Sequence, residues 1–199
     1  MSISSLSPPT EKLITVAELM EMPGLGCNSE LVRGRIVEMP PTKMPHGKVC
    51  LAIGGILVKY LDLHDVGHGV VNDCGVITKR NPDSVRGADA AFCSYQRLPK
   101  DQPPQSYFSV APEIVFEVLS PSDRPGASFT KVSEYLAAGV VAVVVIDTDE
   151  YQVHLNSANQ TPVTLGFDDQ LDLKQFLPDS LPEWTVSIRE FFKFLLPPQ

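Results

Sequence analysis

The sequence predicts an α/β fold, with a mixed central β-sheet held between helices. Three observations carry that expectation. Val140 to Ile146 is apolar at every position, which is the pattern of a strand buried on both faces. Two stretches, His46 to Leu63 and Phe129 to Ala138, repeat their apolar residues at helical spacing. Between and around them lie short β-rich runs, so helices and strands alternate along the chain. With 199 residues, 43% of them hydrophobic, the chain is long enough for one domain with a sizeable core and short for two. Residues 1–10, polar and carrying a Pro-Pro pair, read as a flexible arm, and 11–199 as the single domain.

The elements follow in order. Glu11 to Met22 has a short helical pattern, with Thr15 as its cap, Val16, Leu19 and Met20 on one face, and Pro23-Gly24 as its stop. Two extended runs from Ser29 to Met39 flank Arg33-Gly34, a hairpin turn. In the helix from His46 to Leu63, the apolar face comprises Val49, Ala52, Ile53, Ile56, Leu57 and Tyr60. Gly54 and Gly55 inside it weaken it by about 1 kcal/mol each relative to Ala, which suggests close packing against the sheet. Val70–Thr78 and Val85–Ser94 are strands joined at Asn81-Pro82-Asp83. Glu113–Leu119 is a third, and Ser128 is placed to cap the next helix, which Gly139 ends. After the buried strand, Tyr151–Leu155 and Pro162–Phe167 are further strands, and Ile188 to Leu195 is a short amphipathic segment.

Composition narrows the function classes. The net charge of −8 argues against tight, non-specific binding of long duplex DNA, which needs a basic surface to neutralise phosphates. Cys27, Cys50, Cys74 and Cys93 are widely spaced with no Cys-x-x-Cys pair, so free thiols in a reducing compartment are expected rather than a zinc site or disulfides. The N-terminus lacks a basic region followed by an apolar run, and the longest apolar stretch is too short to span a bilayer. The expected address is the cytoplasm, away from membranes.

The chemistry is concentrated in a few charged residues that interrupt apolar strands. In EIVFEVL, Ile114, Phe116 and Val118 point one way, and Val115, Glu117 and Leu119 the other. A carboxylate at Glu117 is costly unless it is neutralised, hydrogen-bonded or bound to a cation. Asp89, in VRGADAAF, also has apolar neighbours. Two carboxylates on adjacent strands suit a hard cation such as Mg²⁺. The plainer alternatives are an ion-paired Glu117 and an Asp89 that supports a bend at Gly87. Lys131 shares a helix face with Tyr135, and by spacing alone it is no different from a solvated surface lysine.

The blocks SELVRGRIVEMPP, PHGKV, GADAAF, PEIVFEVLSPSD and KVSEYLAAGV resemble the Uma-two family of restriction-endonuclease-like proteins, in order and spacing, from about Glu30 to Asp147. That family is assigned to the PD-(D/E)XK nuclease superfamily. The resemblance implies a restriction-endonuclease-like core with added N-terminal and C-terminal strands. It implies a metal-dependent endonuclease acting on nucleic acid, DNA favoured, with Mg²⁺ or Mn²⁺ and a homodimeric state. Asp89 matches the strand Asp and Glu117 the second acidic ligand, with the Val118 carbonyl as a third metal contact. The superfamily's lysine usually follows two residues after that Glu, where this chain has Leu119; Lys131, on the next helix, matches it instead. Glu30 matches the N-terminal acidic residue, and His46 the histidine at the first helix's start. This chain departs from the family pattern at Ala88, where Pro is common, and in an all-aliphatic strand after the second helix. Glu30 is left between a metal-site carboxylate and a hairpin residue paired with Arg33 or Arg35. His46 is left between a proton donor or phosphate contact and a residue with no chemistry. A catalytically weak adaptor with the same fold is the alternative reading.

Overall fold

The computed structural model describes residues 12–22, 29–101, 107–119 and 125–196. The N-terminal arm, the Pro23-Gly24 stop and Cys27 lie outside them. The architecture is the expected one, a mixed sheet between helices.

Helix α1 (Val16–Glu21) begins at Thr15, whose hydroxyl caps Glu18 N while the Glu18 carboxylate accepts from Thr15 N. This reciprocal pair satisfies two orphan donors. Val16 and Leu19 are buried, but Met20 faces solvent, because a six-residue helix has room for only one narrow buried stripe. Strands β1 (Ser29–Val32) and β2 (Arg35–Glu38) form the predicted hairpin. Arg33 and Gly34 have φ of 51° and 77°, the mirror-image turn whose twist suits two-residue hairpins.

Helix α2 (Met44–Leu63) starts two residues earlier than predicted. Its buried face contains every apolar residue expected there. The two glycines do not pack closely. A methyl group at Gly54 would come no nearer than 3.7 Å to Val71, and one at Gly55 no nearer than 3.9 Å to Lys193. They line a cleft beside the helix instead.

Strands β3 (Gly67–Lys79) and β4 (Ser84–Ser94) form a long antiparallel pair. A bulge interrupts it between Val71 and Cys74, where Asn72 and Asp73 both have positive φ and oppose Asp89 alone. Strand β5 (Ile114–Leu119) runs antiparallel to β4 and parallel to β6 (Ala142–Asp147). Helix α3 (Pro125–Ala137) makes the crossover, and it begins ahead of Ser128, which therefore sits inside the helix rather than at its cap. Strands β7 (Gln152–Ser157) and β8 (Val163–Leu165) complete the edge. The full order is β2-β1-β4-β5-β6-β7-β8, with β3 also on β4.

The sheet separates two apolar layers. On one side α2 packs against Ala90, Phe92, Ile114, Phe116 and Val144, joined by Trp184, Phe191 and Phe192 from the C-terminal segment. The Trp184 ring stacks on Tyr60 at 4.1 Å between centroids. On the other side α3 contributes Val132 and Tyr135 over Val115, Val143 and Val145. The alternation read from EIVFEVL is therefore the one observed. The C-terminal segment also contains β9 (Gln170–Asp172), β10 (Thr185–Ser187) and α4 (Ile188–Phe192). Neither β9 nor β10 was read from the sequence, although β8, equally short, was. No helix among the described residues is long and apolar enough to cross a membrane.

Candidate active site at a fork in the sheet

One feature of the sheet creates the site. Strand β3 occupies one edge of β4 along its length. The other edge is shared, with β1 pairing at Val85 and β5 pairing from Ala90 to Phe92. Between these two partners β4 has an open edge at Arg86–Asp89. Asp89 and Glu117 are the next residues on β4 and β5 beyond the last pair, Ala90 and Phe116.

Carboxylates fill this fork, replacing ladder hydrogen bonds that no strand supplies. Asp89 Oδ2 accepts from Val118 N at 2.7 Å, and Glu30 Oε1 accepts from Gly87 N at 3.1 Å. Both are charge-assisted bonds to buried backbone donors. Gly87 suits the position because a Cβ there would press to 3.2 Å from the Asp73 side chain.

Helix α3 brings Lys131 to the fork, and β4 supplies Arg86. Lys131 Nζ lies 2.6 Å from Glu117 Oε2 and 3.2 Å from Glu30 Oε1. Tyr135, one turn on, donates its hydroxyl to Glu117 Oε1 at 2.9 Å. Arg86 spans Glu30 Oε2 and Glu134 Oε2, both at 2.6 Å. Glu30 pairs with Arg86 and Lys131. From the opposite layer, His46 on α2 places Nε2 3.3 Å from Asp89 Oδ1, and Cys50 Sγ lies 3.4 Å from His46 Nδ1. Arg86 and Glu134 were not singled out in the sequence, and Cys50 was read there only as a free thiol. Arg86 and Glu134 look like ordinary surface charges there, and Cys50 is just one more apolar helix residue.

The five expected side chains therefore fall into two groups, Glu30–Lys131–Glu117 and His46–Asp89, joined through the Val118 N–H bond to Asp89. They do not share one recess. Glu30, Glu117 and Lys131 line a recess of about 210 Å³ on the α3 side. His46 and Asp89 line a cleft of about 890 Å³ between α2 and β3, together with the bulge residue Asp73. Among the described residues, the His, Cys, Asp or Glu trio with ligand atoms within 4.8 Å is His46, Cys50 and Asp89.

Electrostatics follow from burial and these pairings. Burial pushes the Glu117 carboxyl up to about 8, helped by the negative charge of Asp89 and opposed by Lys131. Burial alone would lower the Lys131 ammonium, but Glu117 and Glu30 outweigh it and raise its pKa. Lys131 is therefore a hydrogen-bond donor and not a base. Burial also opposes charge on His46, yet the bonds to Asp89 and Cys50 raise its pKa to about 10. Glu30 is held below its ordinary value because Lys131 and Arg86 overcome its burial.

These shifts have a sign. Glu117 and His46 both bind a proton more tightly folded than unfolded. Their contribution to stability is complete below the ordinary values, 4.5 and 6.5, and is lost as pH rises through about 8 and about 10. At roughly 1.4 kcal/mol per unit, metal-free protein is expected to lose a few kcal/mol across that window. Urea unfolding in a chelator at successive pH values measures it. Glu117→Gln should flatten the lower half of the profile; an unchanged profile would show that Glu117 does not titrate as its burial requires.

The donor set fits a hard divalent cation. Asp89 and Glu117 offer oxygen from rigid strands, and each carboxylate oxygen that accepts one hydrogen bond retains a further lone pair. Burial makes the Glu117 carboxyl hold its proton, and a divalent cation beside it would favour the ionised form, as ligand carboxylates bind metals deprotonated.

Comparison with known proteins agrees with the fold. Residues 16–187 match the family model Uma2, described as "Putative restriction endonuclease". Among solved structures, a crystal structure described as a "putative nuclease belonging to DUF820" from Anabaena variabilis ATCC 29413 is similar, with a TM-score of 0.76 and 19% identity. The match covers 92% of this chain and 99% of that one. No match is found among curated proteins.

Proposed function

Given that the chain belongs to the Uma2 family of restriction-endonuclease-like proteins, we propose that it is a metal-dependent endonuclease hydrolysing phosphodiester bonds in nucleic acid, with DNA favoured. The observation that supports this most is the buried group at the sheet fork, where Asp89 and Glu117 stand side by side and the Lys131 ammonium reaches both Glu117 and Glu30.

Asp89, Glu117 and the Val118 carbonyl would hold Mg²⁺ or Mn²⁺. Bound there, such an ion lowers the pKa of a coordinated water and neutralises charge on the scissile phosphate. The protein's own groups do the rest. Lys131, a donor with a raised pKa, orients the attacking water or a phosphoryl oxygen and stabilises the charge that builds there. Glu30 and Tyr135 hold Lys131 and Glu117 in place. His46, an imidazolium at neutral pH, faces the larger cleft, where it suits contact with a phosphate. Water attacks phosphorus in line and gives up a proton to solvent, the P–O bond opposite breaks, and the leaving oxygen takes up a proton from solvent. A homodimer would place two such sites on two strands.

A second reading has its own observation. All four oxygens of Asp89 and Glu117 already have protein partners: Val118 N, His46, Lys131 and Tyr135. A closed network of this kind also suits a nuclease fold that has become an adaptor. The deciding experiment incubates a mixed pool of labelled DNA and RNA with Mg²⁺ or Mn²⁺, comparing native protein with Glu117→Ala. Metal-dependent cutting by the native chain and none by the variant is expected. Equal behaviour of the two, with no divalent-cation binding by calorimetry, would leave the adaptor.

A further inference from the structure

The network contains a second set of ligands, which adds Cys50, unused by the endonuclease reading, to His46 and Asp89. His46 and Cys50 lie four residues apart on α2, so their side chains are neighbours on one helical face. Asp89 reaches them through the fork from β4. One imidazole nitrogen, the Cys50 sulfur and an Asp89 oxygen all lie within 4.8 Å of one another. His46 and Asp89 are buried and Cys50 is half-buried.

We propose that His46, Cys50 and Asp89 form a binding site for a thiophilic divalent cation of the Zn²⁺ or Co²⁺ type, distinct from the oxygen-ligand site but sharing Asp89 with it.

Geometry and donor chemistry both support this. Tetrahedral zinc sites have metal–ligand distances of about 2.0–2.3 Å, so their ligand atoms stand roughly 3.3–3.8 Å apart. The trio stands within 4.8 Å, with Asp89 at Nε2 and Cys50 at Nδ1 of the ring, so binding needs the imidazole to turn and present one nitrogen to the metal while the three ligands draw together. Nitrogen, sulfur and oxygen together select borderline and soft metals over Mg²⁺, which prefers oxygen alone. The cleft beside the trio leaves the fourth position open to water or a ligand. That arrangement, three protein ligands and one open position, is how zinc is held where it stays exchangeable.

Sharing Asp89 has a consequence. A carboxylate that ligates a thiophilic metal from the α2 side is withdrawn from the hard cation beside Glu117, so the two metals exclude each other. Zinc-type ions would then inhibit an Mg²⁺-dependent enzyme. This consequence rests on the proposed function; the binding itself does not.

The test is a Co²⁺ titration of the full chain, read by absorbance without any substrate. The native protein should show a sulfur-to-cobalt charge-transfer band that saturates at about one equivalent. Cys50→Ser should lose that band, while Cys74→Ser keeps it. Excess Mg²⁺ should weaken apparent Co²⁺ affinity by at least about tenfold. A second measurement needs no variant: saturating Zn²⁺ should slow alkylation of Cys50 by at least about tenfold, read by peptide mass spectrometry, and leave Cys74 unaffected. A band that persists in Cys50→Ser, or a Cys50 alkylation rate indifferent to Zn²⁺, overturns the site. Co²⁺ binding that Mg²⁺ does not weaken, in a protein shown by calorimetry to bind Mg²⁺, overturns the sharing of Asp89. Because each readout is binding, a protein that cuts nothing would defeat the nuclease reading and leave this result standing or falling separately.

Discussion

Lys131→Met is expected to cut nucleic acid about 10²–10³ times more slowly than the native protein, the cost of removing one charge-stabilising donor from a water-poor site. Its stability should fall much less, by about 1–3 kcal/mol at neutral pH. The difference arises from Glu117. Its carboxyl already sits at about 8, so without the ammonium 2.6 Å away it takes up a proton instead of standing charged and buried. The destabilisation should therefore grow as pH rises above neutrality, where that protonation becomes costly. Single-turnover cleavage and denaturant unfolding, both followed from pH 6 to 9, separate the two effects. A Lys131→Met protein that cuts at the native rate would reduce Lys131 to a structural counter-ion.

Arg86→Ala is expected to be the most destabilising single change at the fork. Arg86 is 11% exposed in its side chain and bridges two carboxylates at 2.6 Å. Removing one partner of a buried pair typically costs about 3–5 kcal/mol, because the remaining charge is left uncompensated. Glu30 keeps Lys131 nearby but loses the Arg86 guanidinium that helps hold its carboxyl below the ordinary range against burial, and Glu134 loses the same partner. For a chain of this length the loss corresponds to a fall of roughly 10 °C in Tm. Arg86→Lys should recover only part of it, since a single ammonium cannot reproduce a guanidinium fork spanning Glu30 and Glu134. Thermal unfolding followed by circular dichroism checks both variants. A loss under about 1 kcal/mol for the alanine variant would mean that solvent reaches the pair and screens it.

Some of this was present in the chain before any folding. The two faces of EIVFEVL, the buried run from Val140 to Ile146 and the apolar stripe of α2 are periodic, and periodicity is local. Thr15 with Glu18 and Arg33 with Gly34 are local too, since a cap or a turn is made within four residues. The carboxylates of Asp89 and Glu117 stood out because charge in an apolar strand demands a partner. The sequence could not say which partner. Glu30 meets Arg86 and Lys131 only because β1 and β5 leave β4 at different points along one edge. Nor could it show that Asp89 sits opposite a bulge, within reach of His46 and Cys50 on the far layer. Those contacts join residues that belong to separate elements of the chain. Strand pairing decides them, and the register of one strand against another is a property of the packed sheet, not of any segment within it. The sequence by itself determined which residues need a partner; the tertiary structure alone decided which partner each one has.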